Sequence, residues 1–195
     1  MIRLATVDDA SQILNIYRPV VEHTFISFET TPPTEDEMRC RITKVQAQLP
    51  WLVLQHDGQI IGYAYASKHN DRAAYQWSVD VAVYIRETSR RMGVGRALYD
   101  GLLPALRMLG VHNAVAIIAL PNRPSVSMHE SLGFKLVGVY PKFGYKLGMW
   151  HDVGHWLLRL REAELPPTVL GSLEHLEFSK EWQAALSSAV AGLKL

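Results

Sequence analysis

The chain alternates short apolar runs with segments whose apolar residues recur at helical spacing. Runs rich in β-branched and aromatic residues predict strands, because such side chains fit a pleated, half-buried surface. The predicted strands are Ile2–Ala5, Trp51–Gln55, Ile60–Ala66, Tyr75–Ile85, Ala114–Leu120, Lys135–Tyr140 and Val153–Leu160. The run Ala114–Leu120 is apolar almost throughout, which predicts a strand buried on both faces. Between the second and third strands, Asp57-Gly58 is a strong hairpin signal.

Four segments predict helices between these strands. Thr6-Val7-Asp8-Asp9 offers a cap and an acidic first turn for a helix that carries Ile13, Leu14, Ile16 and Tyr17. Thr34-Glu35-Asp36-Glu37 is a capping box for a second helix, which is expected to end at about Gln48. A third helix carries Ala97, Leu98, Leu102, Leu103, Leu106 and Leu109, and a short fourth starts at Pro124-Ser125 and ends before Gly133. The resulting order, β-α-α-β-β-β-α-β-α-β-β, predicts an α/β fold that mixes hairpins with crossover helices.

Pro166-Pro167 marks a boundary near the end of the chain. We therefore predict one domain over residues 1–165 and a C-terminal extension over residues 166–195. Within the extension, Leu170–Leu195 has the pattern of a loosely amphipathic helix. Its low basic content favours docking on the domain over binding to a membrane.

Composition narrows the class of protein. The 195 residues are 48% hydrophobic and 20% charged, as expected for a globular chain with one sizeable core. A net charge of +1 gives no broad electrostatic footprint for nucleic acid. No apolar run reaches the roughly 18 residues that cross a bilayer, and the N-terminus lacks a signal-peptide pattern. The single cysteine, Cys40, cannot form an internal disulfide. We expect a cytoplasmic protein.

The turn from Arg90 to Arg96, between a predicted strand and a predicted helix, carries the clearest chemistry. Gly93 and Gly95 let the backbone approach a ligand closely. The first amides of the helix have no intrahelical partner, and the helix dipole favours negative charge, so the turn suits a diphosphate. A tight turn without a ligand is the alternative. The turn is not a dinucleotide fingerprint, because Leu98 replaces the third glycine, and it lacks the Gly-Lys-Ser/Thr ending of a P-loop.

Two motifs resemble one enzyme family. The spacing Arg90-x-x-Gly93-x-Gly95 resembles the acetyl-CoA loop of the GCN5-related N-acetyltransferases (GNAT). The segment Leu120–Phe134 resembles the GNAT region that ends in Leu-Gly-Phe, with His129 where the family commonly has tyrosine. With this histidine, the pattern Leu-Pro-Asn-x-Pro-Ser-Val-x-x-His-Glu-x-Leu-Gly is similar to the pattern of the phosphinothricin and methionine sulfoximine acetyltransferases. The resemblance runs from about Ile2 to Leu160 and implies the GNAT fold, a mixed and mostly antiparallel sheet flanked by helices.

The resemblance implies acetyl-CoA as the co-substrate and assigns residues to it. Strand backbone at Val83, Tyr84 and Ile85 is expected to meet the pantetheine arm, and Asn122 is expected to reach the same region. The residues expected around the diphosphate are Arg91, Met92, Gly93, Val94, Gly95 and Arg96. No metal is implied. His151 and His155 imitate a zinc motif, but on a strand they are separated by roughly 13 Å.

The resemblance also assigns the acceptor side. Arg72, with Tyr75 and Trp77, is implied to hold an acidic substrate, since a guanidinium suits carboxylate or phosphinate oxygens. Asp80 stands where the subfamily usually has the glutamate proposed as general base, and its shorter side chain favours a bridging water. His129 is a second candidate for proton handling. The alternatives are a solvated loop charge for Arg72, a strand carboxylate for Asp80 and a hydrogen-bonded pocket histidine for His129.

The implied enzyme acetylates the α-amine of a small amino-acid-like substrate such as phosphinothricin, methionine sulfoximine or methionine sulfone. Acetylation of another amine and a non-catalytic CoA-binding protein are the alternatives. A homodimer is implied, and Tyr140, Phe143 and Trp150 are candidates for its contact surface. Neither nucleic acid nor membrane is expected as a partner.

Overall fold

The computed structural model describes residues 1–193. The strands are β1 Ile2–Leu4, β2 Trp51–His56, β3 Gln59–Lys68, β4 Ser78–Ile85, β5 Asn113–Leu120, β6 Lys135–Lys146 and β7 Met149–Arg159. The α-helices are α1 Ala10–His23, α2 Glu35–Gln46, α3 Val94–Met108, α4 Arg123–Ser131, α5 Leu173–Glu177 and α6 Lys180–Ala191. Short 3₁₀ turns occupy Val7–Asp9, Ala73–Tyr75 and Glu87–Ser89.

The seven strands form one sheet in the order β1-β2-β3-β4-β5-β7-β6. Every neighbouring pair is antiparallel except β4 and β5, which are parallel. One face of the sheet packs against α3 and α6, through side chains such as Leu98 and Trp182. The other face packs against α1 and α2, through Ile13 and Ile42 among others. The predicted mixed, mostly antiparallel sheet flanked by helices is confirmed.

The parallel pair β4–β5 is short. It spans only Ser78–Asp80 against Asn113–Val115. Beyond Asp80, β4 is paired with β3 alone, and beyond Val115, β5 is paired with β7 alone. The two strands therefore separate, and a split opens between them towards Ile85 and Leu120.

Four strand predictions are corrected by the structure. The predicted strand Tyr75–Ile85 begins only at Ser78, because Ala73–Tyr75 forms a 3₁₀ turn. The last two strands are longer than predicted and form one hairpin that reverses at Leu147-Gly148, where both φ angles are positive. Its irregular pairing between Tyr140 and Gly144 hid this length in the sequence. The strand β5 is not buried on both faces, since Ile117 is 48% exposed at the split.

The cap of α2 follows the sequence signal, whereas the residues predicted to cap the first helix form a separate 3₁₀ turn. Thr34 and Glu37 form the expected capping box, with Glu37 N–H donating to Thr34 Oγ1 at 3.2 Å and Thr34 N–H donating to Glu37 Oε2 at 2.7 Å. The helix ends at Gln46, slightly before the predicted Gln48. The 3₁₀ turn Val7–Asp9 precedes the first helix.

The predicted single helix Leu170–Leu195 is wrong, because the extension forms two helices. Ser179 interrupts the segment and caps α6 by accepting from Trp182 N–H at 3.3 Å. Trp182 is 1% exposed against α3 and donates from Nε1 to Gly101 O at 3.1 Å, so α6 shares the core of the sheet. The last two residues of the prediction lie outside the described residues. The division of the chain after residue 165 stays a prediction.

Candidate active site

The turn before α3 presents a row of backbone amides. Arg91 and Gly93 adopt positive φ angles of 64° and 86°, which turn the chain into the helix. Ala97 N–H donates to Gly93 O at 2.9 Å and is the first amide of this helix to find an acceptor. Within residues 1–193, the structure records no acceptor for the amides from Arg91 to Arg96. This arrangement suits an anionic group such as a diphosphate.

The arginines around the turn differ in their partners. Arg96 Nε lies 3.0 Å from Asp100 Oδ1, and Arg90 Nη1 lies 3.8 Å from Glu87 Oε1. Arg91 is exposed and has no acidic partner within 4.0 Å among the described side chains. Arg91 is therefore the arginine of this turn best placed to meet an added negative charge.

Gly95 serves packing beneath the turn. A Cβ at this position would lie 2.9 Å from both Ile85 Cδ1 and Met128 Sδ. The missing side chain lets α3 approach β4 and α4 closely. The sequence predicted that Gly95 lets the backbone approach a ligand, whereas the structure directs an added side chain into this packed layer.

The split between β4 and β5 forms a narrow cavity of about 60 Å³. Its walls come from both strands, from α4 and from Ile26 after α1. The wall residues include Val81, Val83, Ile117, Asn122 and His129. Because β4 has no strand partner on its β5 side here, that edge of its backbone can pair with an extended ligand that carries amides. The pantetheine arm of acetyl-CoA is such a ligand, so the residues present fit the co-substrate.

His129 is fixed and neutral on the α3 side of the split. The ring is 3% exposed, and Nδ1 lies 2.8 Å from Ser125 O, which can only accept. Nδ1 therefore carries the proton, and Nε2 accepts from the Tyr99 hydroxyl at 2.9 Å. Burial lowers the pKa of His129. This environment favours the hydrogen-bonded pocket histidine among the sequence-based alternatives.

Asp80 lies at the closed end of the split, in the last residue pair that joins β4 to β5. Its Oδ1 is 2.7 Å from His69 Nδ1. Burial raises the pKa of Asp80, and the hydrogen bond and charge of His69 oppose that rise. Strand alternation puts Asp80 on the face opposite α3, so the two predicted catalytic residues flank the split from opposite faces.

His69 is a site residue that sequence reasoning missed. It follows β3 directly, and the β3–β4 register pairs Ser67 with Asp80. Only that register brings His69 to the carboxylate. The sequence signal was a histidine just beyond a strand, which by itself indicates no chemistry.

The predicted substrate residues separate into two groups. Arg72 and Tyr75 are exposed on the rim of a cavity of about 520 Å³, whose opposite wall includes Val169 and Gly171 of the extension. The Tyr75 ring lies 6.3 Å from the His69 ring, so this rim adjoins Asp80. Trp77 instead donates from Nε1 to Thr168 O at 2.8 Å and fastens the extension.

The β6–β7 hairpin holds the segment after α1. Lys146 Nζ is buried and donates to Val21 O at 2.6 Å and to Ser27 O at 2.7 Å. Burial lowers the pKa of Lys146. The His151 ring stacks on Phe25 with centroids 4.2 Å apart. Lys146 and His151 thus fix one border of the sheet face that carries Asp80.

A second large cavity, of about 490 Å³, lies beside α2 on this same sheet face and is lined by Tyr17, Tyr63 and Tyr65 among others. Arg41 makes two contacts with Glu29, at 2.7 and 2.9 Å, and Tyr17 donates to Glu29 Oε1 at 2.8 Å. The hydrogen bonds from Arg41 outweigh burial and lower the pKa of Glu29. The segment after α1 is therefore also tied to α2.

No group of three or more His, Cys, Asp or Glu side chains among residues 1–193 is arranged to hold a metal ion. In the same range, no helix combines the length and the apolar character needed to span a membrane.

A family model described as "Acetyltransferase (GNAT) domain" matches residues 2–155. With the split sheet and the amide-lined turn, this match shows that the chain belongs to the GNAT acetyltransferases. The predictions of this family, of its fold and of an N-acetyltransferase are confirmed.

Particular relatives narrow the likeness. A phosphinothricin N-acetyltransferase of Streptomyces viridochromogenes is 39% identical over 165 residues, 85% of this chain and 88% of the relative. An L-methionine sulfoximine/L-methionine sulfone acetyltransferase of Salmonella typhimurium is 30% identical, over 85% of this chain and 97% of the relative. The crystal structure of a phosphinothricin acetyltransferase of Sinorhizobium meliloti in complex with acetyl-CoA has a TM-score of 0.80 and 32% identity, and covers 88% of this chain and 98% of that chain. The expected co-substrate agrees with that complex.

Proposed function

We propose that this enzyme transfers acetyl from acetyl-CoA to the α-amino group of a small amino-acid-like substrate. The substrates are of the phosphinothricin, methionine sulfoximine or methionine sulfone type. The position of Asp80 carries the proposal. The carboxylate lies where the β4–β5 pairing ends, at the closed end of a split whose open end leads to the amides of Arg91–Arg96. A ligand anchored by its diphosphate at those amides and extended along β4 brings its far end to Asp80.

On the donor side, backbone groups make most of the contacts that bind acetyl-CoA. The amides from Arg91 to Arg96 bind the diphosphate, with Arg91 adding charge. The free edge of β4 at Val83 and Ile85 pairs with the pantetheine arm as an added strand would. Bound acetyl-CoA supplies the thioester carbonyl that the amine attacks.

On the acceptor side, charge places the substrate. Arg72 binds the acidic end group, because a guanidinium offers paired donors to carboxylate or phosphinate oxygens. Asp80 attracts the ammonium group and drives its deprotonation, which must precede attack. His129 keeps its fixed, neutral geometry at the wall of the split. The amine attacks directly in a ternary complex, and exposed Cys40, which does not line the split, takes no part.

We further propose an oligomeric state, a cellular location and a biological role for the enzyme. Tyr140, Phe143 and Trp150 are exposed on the β6–β7 hairpin and form the contact surface of a homodimer. The enzyme acts in the cytoplasm and detoxifies inhibitors that resemble glutamate. Sedimentation at micromolar concentration tests the dimer, and a monomer there contradicts it.

A thiol-release assay over a panel of amines tests the proposed reaction. The panel contains phosphinothricin, methionine sulfoximine, methionine sulfone, the common amino acids and a polyamine. We expect the first three to have the highest kcat/KM, and Arg72→Gln to raise KM for them without changing KM for acetyl-CoA. Arg18→Gln, at an exposed arginine on α1, is the matched control. Preference for the polyamine, or no turnover with any amine, contradicts the proposal.

A further inference from the structure

We propose that His69, held by Asp80, is the side chain that accepts the proton from the substrate ammonium group. This inference rests on the proposed function and deepens it, since it divides the task of the base between two residues. Asp80 then acts as a positioning residue, and the imidazole receives the proton.

The hydrogen bond between the two side chains fixes their roles. Asp80 Oδ1 lies 2.7 Å from His69 Nδ1, and an ionised carboxylate can only accept. Nδ1 therefore donates, which leaves the lone pair of the neutral ring on Nε2. No side chain within residues 1–193 is recorded as a hydrogen-bond partner of Nε2. The side chain of His69 is 34% exposed, so a substrate can reach it.

Reach and position favour the imidazole over the carboxylate. Asp80 projects from β4 at the closed end of the split and is one methylene shorter than a glutamate. The imidazole adds the length of a ring to this short side chain, without a bridging water. Arg72 and Tyr75 follow His69 within the same loop and 3₁₀ turn, and Tyr75 lies beside its ring. One short segment therefore carries the group for the acidic end of the substrate and the group for its ammonium end.

Other titratable groups face the pair from the neighbouring elements. They are His155 on β7, Tyr65 on β3 and Tyr75 on the 3₁₀ turn. The electrostatic contribution of His155 opposes the rise that burial causes in the pKa of Asp80, and His155 Nδ1 is buried without a partner among the described residues.

The reaction moves two protons from the nitrogen and transfers the acetyl group from sulfur to nitrogen. One proton moves from the ammonium nitrogen to His69 Nε2, and the freed electron pair forms the C–N bond to the acetyl carbonyl. The C–S bond breaks, and a second nitrogen proton ends on the departing sulfur as the CoA thiol. His69 then releases its proton to solvent. The products are the N-acetyl compound, CoA and one proton.

Kinetics of His69→Gln, Asp80→Asn and the double variant test the pair. We expect His69→Gln to lower kcat/KM for the amine by about 10²–10⁴-fold, as for loss of a general base. The double variant should be no slower than the slower single variant, because both changes disable one unit. Acetyl-CoA affinity by calorimetry should stay within about threefold. His56→Gln is the matched control, since His56 pairs with Asp57 at 3.3 Å on the β2–β3 hairpin, away from the site. A His69→Gln enzyme within threefold of wild type, or single effects that multiply, overturns the inference.

Two further measurements distinguish a failure of this inference from structural damage in the variant and from a failure of the proposed function. The acid limb of the wild-type kcat/KM profile should disappear in His69→Gln, because a base must be deprotonated to act, and persistence of the limb contradicts the inference. Nitrogen NMR of the wild-type enzyme should show His69 protonated on Nδ1 in its neutral form, and the Nε2–H tautomer overturns the inference even if the variant does not fold. If wild type acetylates no amine in the panel, the proposed function fails. If it acetylates amino acids and His69→Gln is unimpaired, only the inference fails.

Discussion

The proposed donor side and the proposed acceptor side of the site are built in different ways. The donor side is one continuous stretch of chain, from the free edge of β4 through the turn at Arg91–Arg96 into α3. The acceptor side is assembled from separate segments: His69 after β3, Asp80 on β4 and Lys146 on β6, which anchors the segment after α1. Backbone amides define the first, and side chains define the second.

This difference has consequences for substitution. A ligand held by backbone amides is insensitive to most side-chain changes, because the donors stay in place. A proton-transfer site depends on individual side chains, and each removed group has a large effect on rate. We therefore expect changes on the acceptor side to alter turnover while leaving acetyl-CoA affinity intact, and changes at the turn to do the reverse.

The largest expected effect comes from Asp80→Asn. Turnover should fall by about 10²–10⁴-fold, because the carboxylate that drives deprotonation is lost. Acetyl-CoA affinity by calorimetry should hardly change. Asp80→Glu should keep much of the activity, since it restores the carboxylate more typical of the subfamily. A nearly fully active Asp80→Asn enzyme would move the proton-transfer step away from this part of the site.

The donor side is tested by Gly95→Val. The new side chain meets Ile85 and Met128, should push α3 away from β4 and so should displace the amides that are proposed to bind the diphosphate. Acetyl-CoA affinity should fall tenfold or more, about 1.4 kcal/mol, and thermal stability should fall as well. Gly58→Val, at the turn of the β2–β3 hairpin, controls for general loss of stability, because its φ of 76° strains a valine while no atom lies within 4 Å of the added Cβ. Calorimetry with unchanged affinity in a folded Gly95→Val protein would remove this turn from the donor site.

Lys146→Met should raise KM for the amine more than KM for acetyl-CoA. The change removes two hydrogen bonds to buried carbonyls and loosens the segment after α1, which borders the acceptor face. We expect a loss of about 1–3 kcal/mol in unfolding free energy, the usual scale for carbonyls left unpaired. Lys142→Met on the same strand, at an exposed side chain, is the control. Equal effects on both KM values would show that the two sides are not independent.

The smallest effect on the site is expected from Asp9→Asn, far from both sides. Burial opposes ionisation of Asp9, but hydrogen bonds from Arg3 and Thr6 outweigh it and lower the pKa of the carboxyl. An aspartate with a lowered folded pKa stabilises the fold above its unfolded pKa of about 3.9 and loses this contribution as pH falls through the folded value. Asp9→Asn should lower the free energy of unfolding by about 1–2 kcal/mol at neutral pH. It should also reduce the fall in that free energy as the pH drops from about 4 through the folded pKa of Asp9. Thermal melts over this range measure the effect, and kcat/KM at neutral pH should not change.

The sequence indicated the geometry of the turn at Gly93 better than the arrangement around Asp80, and the reason is physical. The turn at Gly93 and the helix after it are local features, so spacing and glycine alone indicate them. The His69–Asp80 contact depends on the β3–β4 register, which no local pattern specifies. Likewise, Trp77 was grouped with the substrate residues, whereas its indole contacts Thr168, 91 positions further along the chain. The interrupted pairing within the β6–β7 hairpin concealed the length of both strands.

A structure of the enzyme with acetyl-CoA and an unreactive amino-acid analogue would test the central claim most directly. The account predicts the diphosphate within hydrogen-bonding distance of the amides of Arg91–Arg96. It predicts the thioester at the closed end of the split, with the nitrogen of the analogue, or the position it occupies, beside His69 and Asp80. A diphosphate bound away from this turn, or a thioester remote from Asp80, would contradict the account.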